Sequence, residues 1–214
     1  MERIRVFNLS TSFCLTGAVR DIGELKTEII RKAIHFLIAV SPALAAINRP
    51  FTILVLMAGT LSYVLMEYLR VSGVKVPVIS SMTAMASRQR DIGRFIMGPV
   101  TLGLGSFVAL ILYPPPAAAI AIYALAFGDG FASLVGKFFG RWRPAFLCGK
   151  SVEGSLACFT AVFVGAYAVS GHLRIAFVTA FTAMLVEALP LEDYDNLVIP
   201  VTVGLVVQLV TLWT

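Results

Sequence analysis

The stretch that decides the fold is residues 117–140, which read AAAIAIYALAFGDGFASLVGKFFG. It is apolar and, at about 20 residues or more, long enough for a membrane-spanning helix, yet Asp129 lies inside it. A charged side chain at the middle of a bilayer costs roughly 2.5–3.5 kcal/mol on insertion scales. An acid in this position needs a functional reason, so Asp129 is the first candidate site residue.

The composition of the whole chain is that of an integral membrane protein. Of the 214 residues, 58% are hydrophobic and 14% are charged, whereas soluble domains are about half apolar and a quarter charged. Windows of about 20 residues indicate candidate membrane spans. Their limits are 30–47, 51–69, 94–113, 117–136, 154–170, 173–189 and 197–213. We therefore predict an all-α, polytopic membrane protein with about seven transmembrane helices.

The basic residues are distributed unevenly between the predicted loops. Of 17 Lys and Arg, 15 lie before or entering the first span or in the loops after the second and fourth spans. The other two, Arg49 and Arg174, lie on the opposite side. Because Lys and Arg concentrate in cytoplasmic loops, this distribution predicts a cytoplasmic N-terminus and an external C-terminus. Short external and long cytoplasmic loops place the working face in the cytoplasm.

The segment around Asp129 combines an acid with small residues. Gly128 and Gly130 flank Asp129, and Lys137 follows about two turns later. Small residues let helices pack closely in membranes, which accounts for the glycines but leaves Asp129 unexplained. We expect Asp129 to bind a metal ion or phosphate, with Gly128, Gly130 and Lys137 near the phosphate groups.

A second motif, Gly-Lys-Ser-Val-Glu-Gly, covers residues 149–154 just before the fifth predicted span. Lys150 offers a positive charge to a phosphate, and Ser151 with free N–H groups at a helix start can bind an anion. Ser151 also suits the N-cap of the helix, and the two roles are compatible. Lys150 could instead be an ordinary cytoplasmic charge, but its grouping with Glu153 favours phosphate contact.

A third polar segment runs from Glu187 to Asn196 at the same predicted face, with four acids and no base. Unpaired carboxylates repel one another, so this segment favours a divalent cation. The alternatives are solvated surface acids at Glu192 and Asp193, and a favourable helix-dipole contact at Asp195. We predict Asp195 as a metal ligand in preference to Asp193.

The first two spans add polar residues at this face. Arg31, Lys32 and His35 share one side of a helix, because spacings of three and four residues align. They suit a phosphate or a lipid headgroup, although interfacial anchoring by Arg31 and Lys32 and a hydrogen-bonded His35 form the alternative. Glu67 ends the second span at the same face and could orient His35 or a lysine.

These motifs together resemble the CTP-dependent lipid-alcohol kinases, a family that includes dolichol kinase, phytol kinase and yeast-type diacylglycerol kinase. The resemblance covers residues 31–200, and it depends on the order and spacing of motifs that are each weak alone. The matching motifs are Arg31-Lys32-x-x-His35, Gly128-Asp129-Gly130-x-Ala132-x-x-x-Gly136-x-x-x-Gly140, Lys150-Ser151-x-Glu153-Gly154, and Glu187-x-x-Pro190 followed by Asp195-Asn196-x-x-x-Pro200.

The resemblance implies a kinase that moves the γ-phosphoryl group of CTP to the hydroxyl of a membrane lipid alcohol, with Mg²⁺. The acceptor would be a polyprenol, a phytol-like alcohol or diacylglycerol. We expect residues 1–28 to form an N-terminal cytoplasmic or interfacial segment and residues 29–214 the transmembrane catalytic domain. No nucleic-acid partner is expected, and the oligomeric state stays open, homo-oligomers included.

The predicted roles follow from this resemblance together with the residue chemistry. Asp129 and Asp195 would hold Mg²⁺, and Lys150, Ser151 and Asn196 would contact the nucleotide. Either Glu153 or Glu187 would accept the proton of the acceptor hydroxyl. The chain has no Gly-x-x-x-x-Gly-Lys-Ser/Thr loop, so a P-loop mechanism is excluded.

Two alternative functions remain at this stage. The phosphatidate cytidylyltransferases are similar in the Asp-x-Gly-Ala and Lys-Ser/Thr-x-Glu-Gly stretches. Their signature continues past the proline with His-Gly-Gly and Asp-Arg-x-Asp, which is missing after Pro200. An ion-coupled transporter could use Asp129 and Glu187 as a relay, but carriers place their sites near the midplane between repeats.

Overall fold

The computed structural model describes residues 22–74 and 94–213, with the backbone alone for residues 22–26 and Glu192. Residues 1–21 of the predicted N-terminal segment 1–28 therefore lie outside the described residues. The same holds for residues 75–93 of the predicted loop 70–93. Every regular element in the described ranges is helical and none is a strand, which confirms the predicted all-α class.

The helices follow one another with short connections. The chain begins with α1 (Ile22–Leu37), a 3₁₀ turn (Ile38–Val40) and α2 (Ser41–Val71). The described chain resumes at residue 94. It continues with α3 (Gly98–Leu112), α4 (Ala117–Tyr123), a π-helix (Ala124–Asp129), α5 (Gly130–Phe138), a 3₁₀ turn (Ala145–Leu147), α6 (Val152–Ser170), α7 (Leu173–Glu187), a 3₁₀ turn (Glu192–Tyr194) and α8 (Asp195–Thr211).

Helix α2 is broken at Asn48, where hydropathy predicts a short turn between two spans. Asn48 has φ −149° and ψ 94°, which is non-helical. Its Oδ1 accepts a hydrogen bond from the N–H of Phe51 at 3.0 Å, as an N-cap side chain does. Pro50 stands in the first turn of the second segment, where a missing N–H leaves no helical hydrogen bond unmade.

The surface of the bundle is that of a membrane protein. Three described helical runs are long and apolar enough to cross a membrane: 27–71, 117–138 and 152–170. Helices α3 and α8 are apolar but shorter, at 15 and 17 residues. Large apolar side chains point outward along α2, including Phe51, Leu54, Leu61 and Leu65. The count of seven spans and the cytoplasmic N-terminus stay predictions.

The most deeply buried part of the bundle is the run from α4 into the π-helix. Ile120, Ala121, Ile122 and Leu125 are at most 1% exposed, and this run packs against α3, α6 and α8. The neighbouring helices contribute small residues such as Ala180, which allow the close approach that membrane helices use. Asp129 ends this buried run, so the fold carries its carboxylate into the interior.

Asp129 is the last residue of the π-helix. A π-helix holds more residues per turn than an α-helix, and short π segments occur frequently at functional sites. The glycines on either side allow neighbouring helices to come close. A Cβ at Gly128 would lie 2.8 Å from Val162 Cγ2, and a Cβ at Gly130 would lie 2.5 Å from Phe36 Cε1.

Candidate active site

The three predicted polar motifs meet around a cavity of about 200 Å³. Its lining comes from α1, the π-helix, α5, the loop before α6, α6 itself, α7 and α8. The charged residues in this lining are four acids and four bases: Glu28, Asp129, Glu187, Asp195, Arg31, Lys137, Arg143 and Lys150. The structure thus brings together side chains from distant parts of the sequence in one polar space within an apolar bundle.

Asp129 is held by two residues of α1. Its Oδ2 accepts a hydrogen bond from Lys32 Nζ and lies 3.0 Å from His35 Nε2. Lys32 is 0% exposed, so its ammonium group is a charge in the interior with Asp129 as its counterion. A buried charge is tolerated when it is paired and hydrogen-bonded. The predicted polar face of α1 is therefore turned into the protein, where Lys32 and His35 contact Asp129.

Asn196 fixes His35 in place. His35 Nε2 lies 2.8 Å from Asn196 Oδ1, and Asn196 Nδ2 donates to Thr101 Oγ1 at 3.0 Å. Because the amide nitrogen of Asn196 donates to Thr101 on α3, the amide oxygen is the atom that faces His35. This oxygen is an acceptor, so His35 Nε2 carries the hydrogen. Asn196 is predicted to contact nucleotide, and the structure places its side chain in this buried network, 1% exposed.

Lys150 and Glu187 form the second ion pair in the cavity. Lys150 Nζ lies 3.1 Å from Glu187 Oε1 and also donates to the main-chain carbonyl of Glu187, at the end of α7. Glu187 is 5% exposed. Its second oxygen, Oε2, is buried and accepts no hydrogen bond from the described residues. Two residues predicted for the site from separate motifs are thus in direct contact.

Glu28 joins two of the basic groups, and sequence reasoning missed it. Its Oε1 lies 2.6 Å from Arg31 Nη2, and its Oε2 lies 2.7 Å from Lys137 Nζ. Glu28 is 1% exposed, so this carboxylate links α1 to α5 inside the protein. The signal that could have found it is the spacing of three residues between Glu28 and Arg31 at the start of an apolar helix.

Ser151 caps α6, as one of the two predicted roles requires. Its Oγ accepts a hydrogen bond from the N–H of Gly154 at 3.1 Å. Gly140, two residues after α5, and Gly154, in the first turn of α6, make room for this cap. A Cβ at Gly140 would lie 2.5 Å from Ser151 Oγ, and a Cβ at Gly154 would lie 2.8 Å from the carbonyl oxygen of Ala132. The start of α6 therefore sits directly against α5 at the cavity wall.

Arg143 and Glu153 shape the loop between α5 and α6. Arg143 donates to the carbonyl of Gly136 at 2.6 Å and to that of Gly149 at 2.5 Å. Glu153 Oε1 accepts hydrogen bonds from the backbone N–H groups of Arg141 at 3.0 Å and Trp142 at 3.2 Å. Arg143 lines the cavity, whereas Glu153 does not. Glu153 thus binds the backbone of the loop and does not contribute to the cavity lining.

We expect Glu153→Gln to retain most of the activity, because an amide oxygen can still accept the two backbone hydrogen bonds. Loss of a general base typically lowers the rate by about 10²–10⁴-fold. Glu153→Ala removes the acceptor and should make the loop more accessible to trypsin at Arg141 and Arg143. Turnover and limited proteolysis of the two variants check this. A loss of 10²-fold or more in Glu153→Gln with an unchanged loop would identify Glu153 as the base instead.

Several predicted site residues lie away from the cavity lining. Glu67 binds the Arg70 guanidinium at 2.7 and 2.8 Å and accepts the N–H of Ile96 at 2.9 Å. Asp193 lies in the 3₁₀ turn before α8. Gly128 and Gly130, predicted near phosphate, face the neighbouring helices described above. These placements separate residues that support the fold from those that line the cavity.

The carboxylates that line the cavity can be compared with the ligands that Mg²⁺ takes in proteins. The described residues contain no group of three or more His, Cys, Asp or Glu side chains arranged to hold a metal ion. Mg²⁺ commonly keeps several waters and binds one or two carboxylates together with substrate phosphates. Asp129 and Asp195, which both line the cavity, fit that pattern.

Comparison with known proteins identifies relatives of one kind. The chain is 32% identical to a phytol kinase of Synechocystis sp. over 164 residues, which is 69% of this chain and 66% of that protein. It is 32% identical to a chloroplastic farnesol kinase of Arabidopsis thaliana over 136 residues, 56% of this chain and 44% of that protein. A probable chloroplastic phytol kinase 3 of Glycine max is 32% identical over 137 residues, 54% of this chain and 42% of that protein.

No protein-family model matches the chain, and no solved structure is significantly similar to it. The chain spans about half the length of several of the curated relatives it matches. Each of these relatives is named as a kinase. These similarities confirm the predicted resemblance, and the chain is a homologue of the phytol and farnesol kinases.

Proposed function

We propose that this protein is a CTP-dependent kinase of a membrane lipid alcohol. It transfers the γ-phosphoryl group of CTP to the hydroxyl of a polyprenol, a phytol-like alcohol or diacylglycerol, at the cytoplasmic face of the membrane. The observation that carries the proposal is the cavity with four bases and four acids enclosed by apolar helices. The kinase names of the relatives support the reaction type, and the predicted family resemblance supports CTP as donor.

The charges in the cavity suit a nucleotide triphosphate. Arg31, Lys137 and Lys150 are each paired with a carboxylate. Each of these bases has more N–H donors than its pair uses, so a phosphate group can accept hydrogen bonds from them while the pairs stay intact. Phosphoryl transfer is catalysed almost entirely by positioning and by electrostatic stabilisation of the phosphoryl group. Asp129 and Asp195 would hold Mg²⁺, which when bound neutralises charge on the phosphates.

The apolar surroundings suit the lipid acceptor. Phe36, Phe127 and Phe131 form an aromatic cluster next to Asp129 in the fold, with 5.2 Å between the ring centroids of Phe36 and Phe131. Phe131 is 42% exposed on the outer surface. An alcohol whose chain stays in the bilayer can approach the polar cavity laterally past such a surface, which presents its hydroxyl to the phosphates.

The test uses purified protein in lipid nanodiscs with Mg²⁺, labelled CTP and a panel of lipid alcohols. We expect label from γ-labelled CTP to appear on one of the alcohols and label from α-labelled CTP to stay in solution as CDP. Transfer of the α label to phosphatidate would identify a cytidylyltransferase instead. Nucleotide-independent substrate uptake into proteoliposomes would identify a carrier. Parallel reactions with ATP test the preference for CTP.

A further inference from the structure

Three buried polar atoms without a hydrogen-bond partner among the described residues belong to side chains that line the same cavity. Of the five buried side-chain nitrogen and oxygen atoms that lack a hydrogen bond within the described residues, three belong to its lining: Arg31 Nε, Ser155 Oγ and Glu187 Oε2. Buried polar atoms in proteins are nearly always paired. The concentration of unpaired atoms in one cavity points to a ligand that completes their hydrogen bonds.

These atoms require a ligand with two kinds of group. Arg31 Nε can only donate a hydrogen bond, a carboxylate oxygen can only accept one, and a serine hydroxyl can do both. Phosphate oxygens at neutral pH are acceptors, so they suit Arg31 but offer nothing to Glu187 Oε2. That oxygen needs an O–H or N–H donor. A polyphosphate alone therefore leaves Glu187 unsatisfied, whereas a polyphosphate together with an alcohol satisfies both residues.

The position of Glu187 identifies which hydroxyl it meets. Its other oxygen, Oε1, lies 3.1 Å from Lys150 Nζ, and Lys150 is one of the three bases proposed to contact the phosphate groups. A donor at Oε2 is therefore next to the phosphates, where the attacking alcohol must be. Ser155, 8% exposed, lies one turn after the Ser151 cap and lines the same cavity. Glu153, the other predicted base, is outside the lining and bound to backbone N–H groups.

We propose that Glu187 Oε2 binds the acceptor hydroxyl and takes its proton, and that Ser155 orients that hydroxyl; this assignment rests on the proposed function. In the step, the alcohol oxygen forms a bond to the γ-phosphorus of CTP. The bond from that phosphorus to the β,γ-bridging oxygen breaks, and its electron pair leaves with CDP. The hydroxyl proton moves to Glu187 Oε2 and passes to water after product release. Lys150 keeps Oε1 occupied, so Oε2 is the oxygen presented to the alcohol.

The experiment first measures transfer from γ-labelled CTP to alcohol by the wild-type protein, and then compares Glu187→Gln with Glu153→Gln. Glutamine has the size of glutamate and accepts a hydrogen bond but not the proton. We expect kcat of Glu187→Gln to fall by about 10²-fold or more, with little change in the CTP concentration at half-maximal rate. Glu153→Gln is the matched control and should stay near the wild-type rate.

A second acceptor separates proton transfer from a structural effect. A lipid alcohol with fluorine atoms next to the carbinol carbon has a more acidic hydroxyl and depends less on a base. We expect the defect of Glu187→Gln to shrink by about tenfold with this alcohol, since rates with a general base follow Brønsted behaviour. Wild-type turnover by Glu187→Gln, or an equal defect with both alcohols, overturns the assignment while leaving the kinase function intact.

A further variant covers the case in which Glu187→Gln does not fold. Ser155→Ala should raise the alcohol concentration at half-maximal rate and leave that for CTP unchanged, because the hydroxyl group touches only the acceptor. The opposite pattern, a change for CTP alone, overturns the assignment. Absence of label transfer to any alcohol by the wild-type protein overturns the proposed function itself, and this assignment with it.

Discussion

Replacing Asp129 with asparagine is expected to abolish phosphoryl transfer and also to destabilise the folded protein by about 3–5 kcal/mol. The second effect follows from Lys32, which is 0% exposed and has the Asp129 carboxylate as its counterion. Removing one partner of a buried ion pair leaves an uncompensated charge in the interior. Thermal unfolding in detergent and turnover with labelled CTP measure the two effects separately.

The double variant Lys32→Met/Asp129→Asn separates stability from activity. It removes both charges and replaces the ammonium group by an apolar side chain, so stability should return to near the wild-type level. Activity should stay absent, because the carboxylate at the cavity is still missing. A double variant with restored turnover would show that Asp129 acts through folding alone. A single variant as stable as the wild type would contradict the buried pairing.

Replacing Lys150 with methionine is expected to lower kcat/KM for CTP by about 10²–10³-fold, the range found when one preorganised charge-stabilising group is removed. Lys150 is on the loop just before α6, and its ammonium group is the base nearest Glu187. Methionine keeps much of the chain length and removes the charge. Lys150→Arg should recover part of the activity, since charge is retained but its position changes.

Arg174→Met is the matched control for Lys150→Met. It removes one positive charge from an exposed residue at the start of α7, about 20 Å of helix away from Glu187 at its end. Its kinetics should equal those of the wild type. If both variants lose activity to the same degree, net charge rather than a contact with phosphate explains the result, and the role of Lys150 is wrong.

Hydropathy and motif order predict much of the fold. The fifth and sixth predicted spans, 154–170 and 173–189, agree with α6 and α7 to within two residues at each end. This succeeds because a continuous apolar run of about 17 residues or more between turn formers has the length of a membrane-spanning helix and exceeds that of a membrane strand. The sequence also indicates which motifs share a face, so that Asp129, Lys150 and Glu187 are correctly expected in one region.

The partners of the individual side chains could not be predicted. Lys32 and Asp129 are 97 positions apart, and their contact depends on how α1 packs on the π-helix, which no local pattern encodes. The sequence predicts Gly130 near phosphate groups. In the structure, the ring of Phe36 occupies the space where a Cβ of residue 130 would lie. Glu153 sits one residue after the start of α6, and only the path of the preceding loop decides that its carboxylate turns outward.

The π-helix at Ala124–Asp129 allows the length of this span to vary by one residue. A π-helical turn takes up about one residue more than an α-helical turn, so about five residues in α-helical winding cover nearly the same rotation as this segment. Removing a single residue here would therefore leave the rotation of α5 relative to α4 nearly unchanged and would shift only the residues inside the segment. Sequence comparisons with the relatives should accept a one-residue gap between the alanine-rich run and the acid, since the helices on either side of such a gap keep their neighbours.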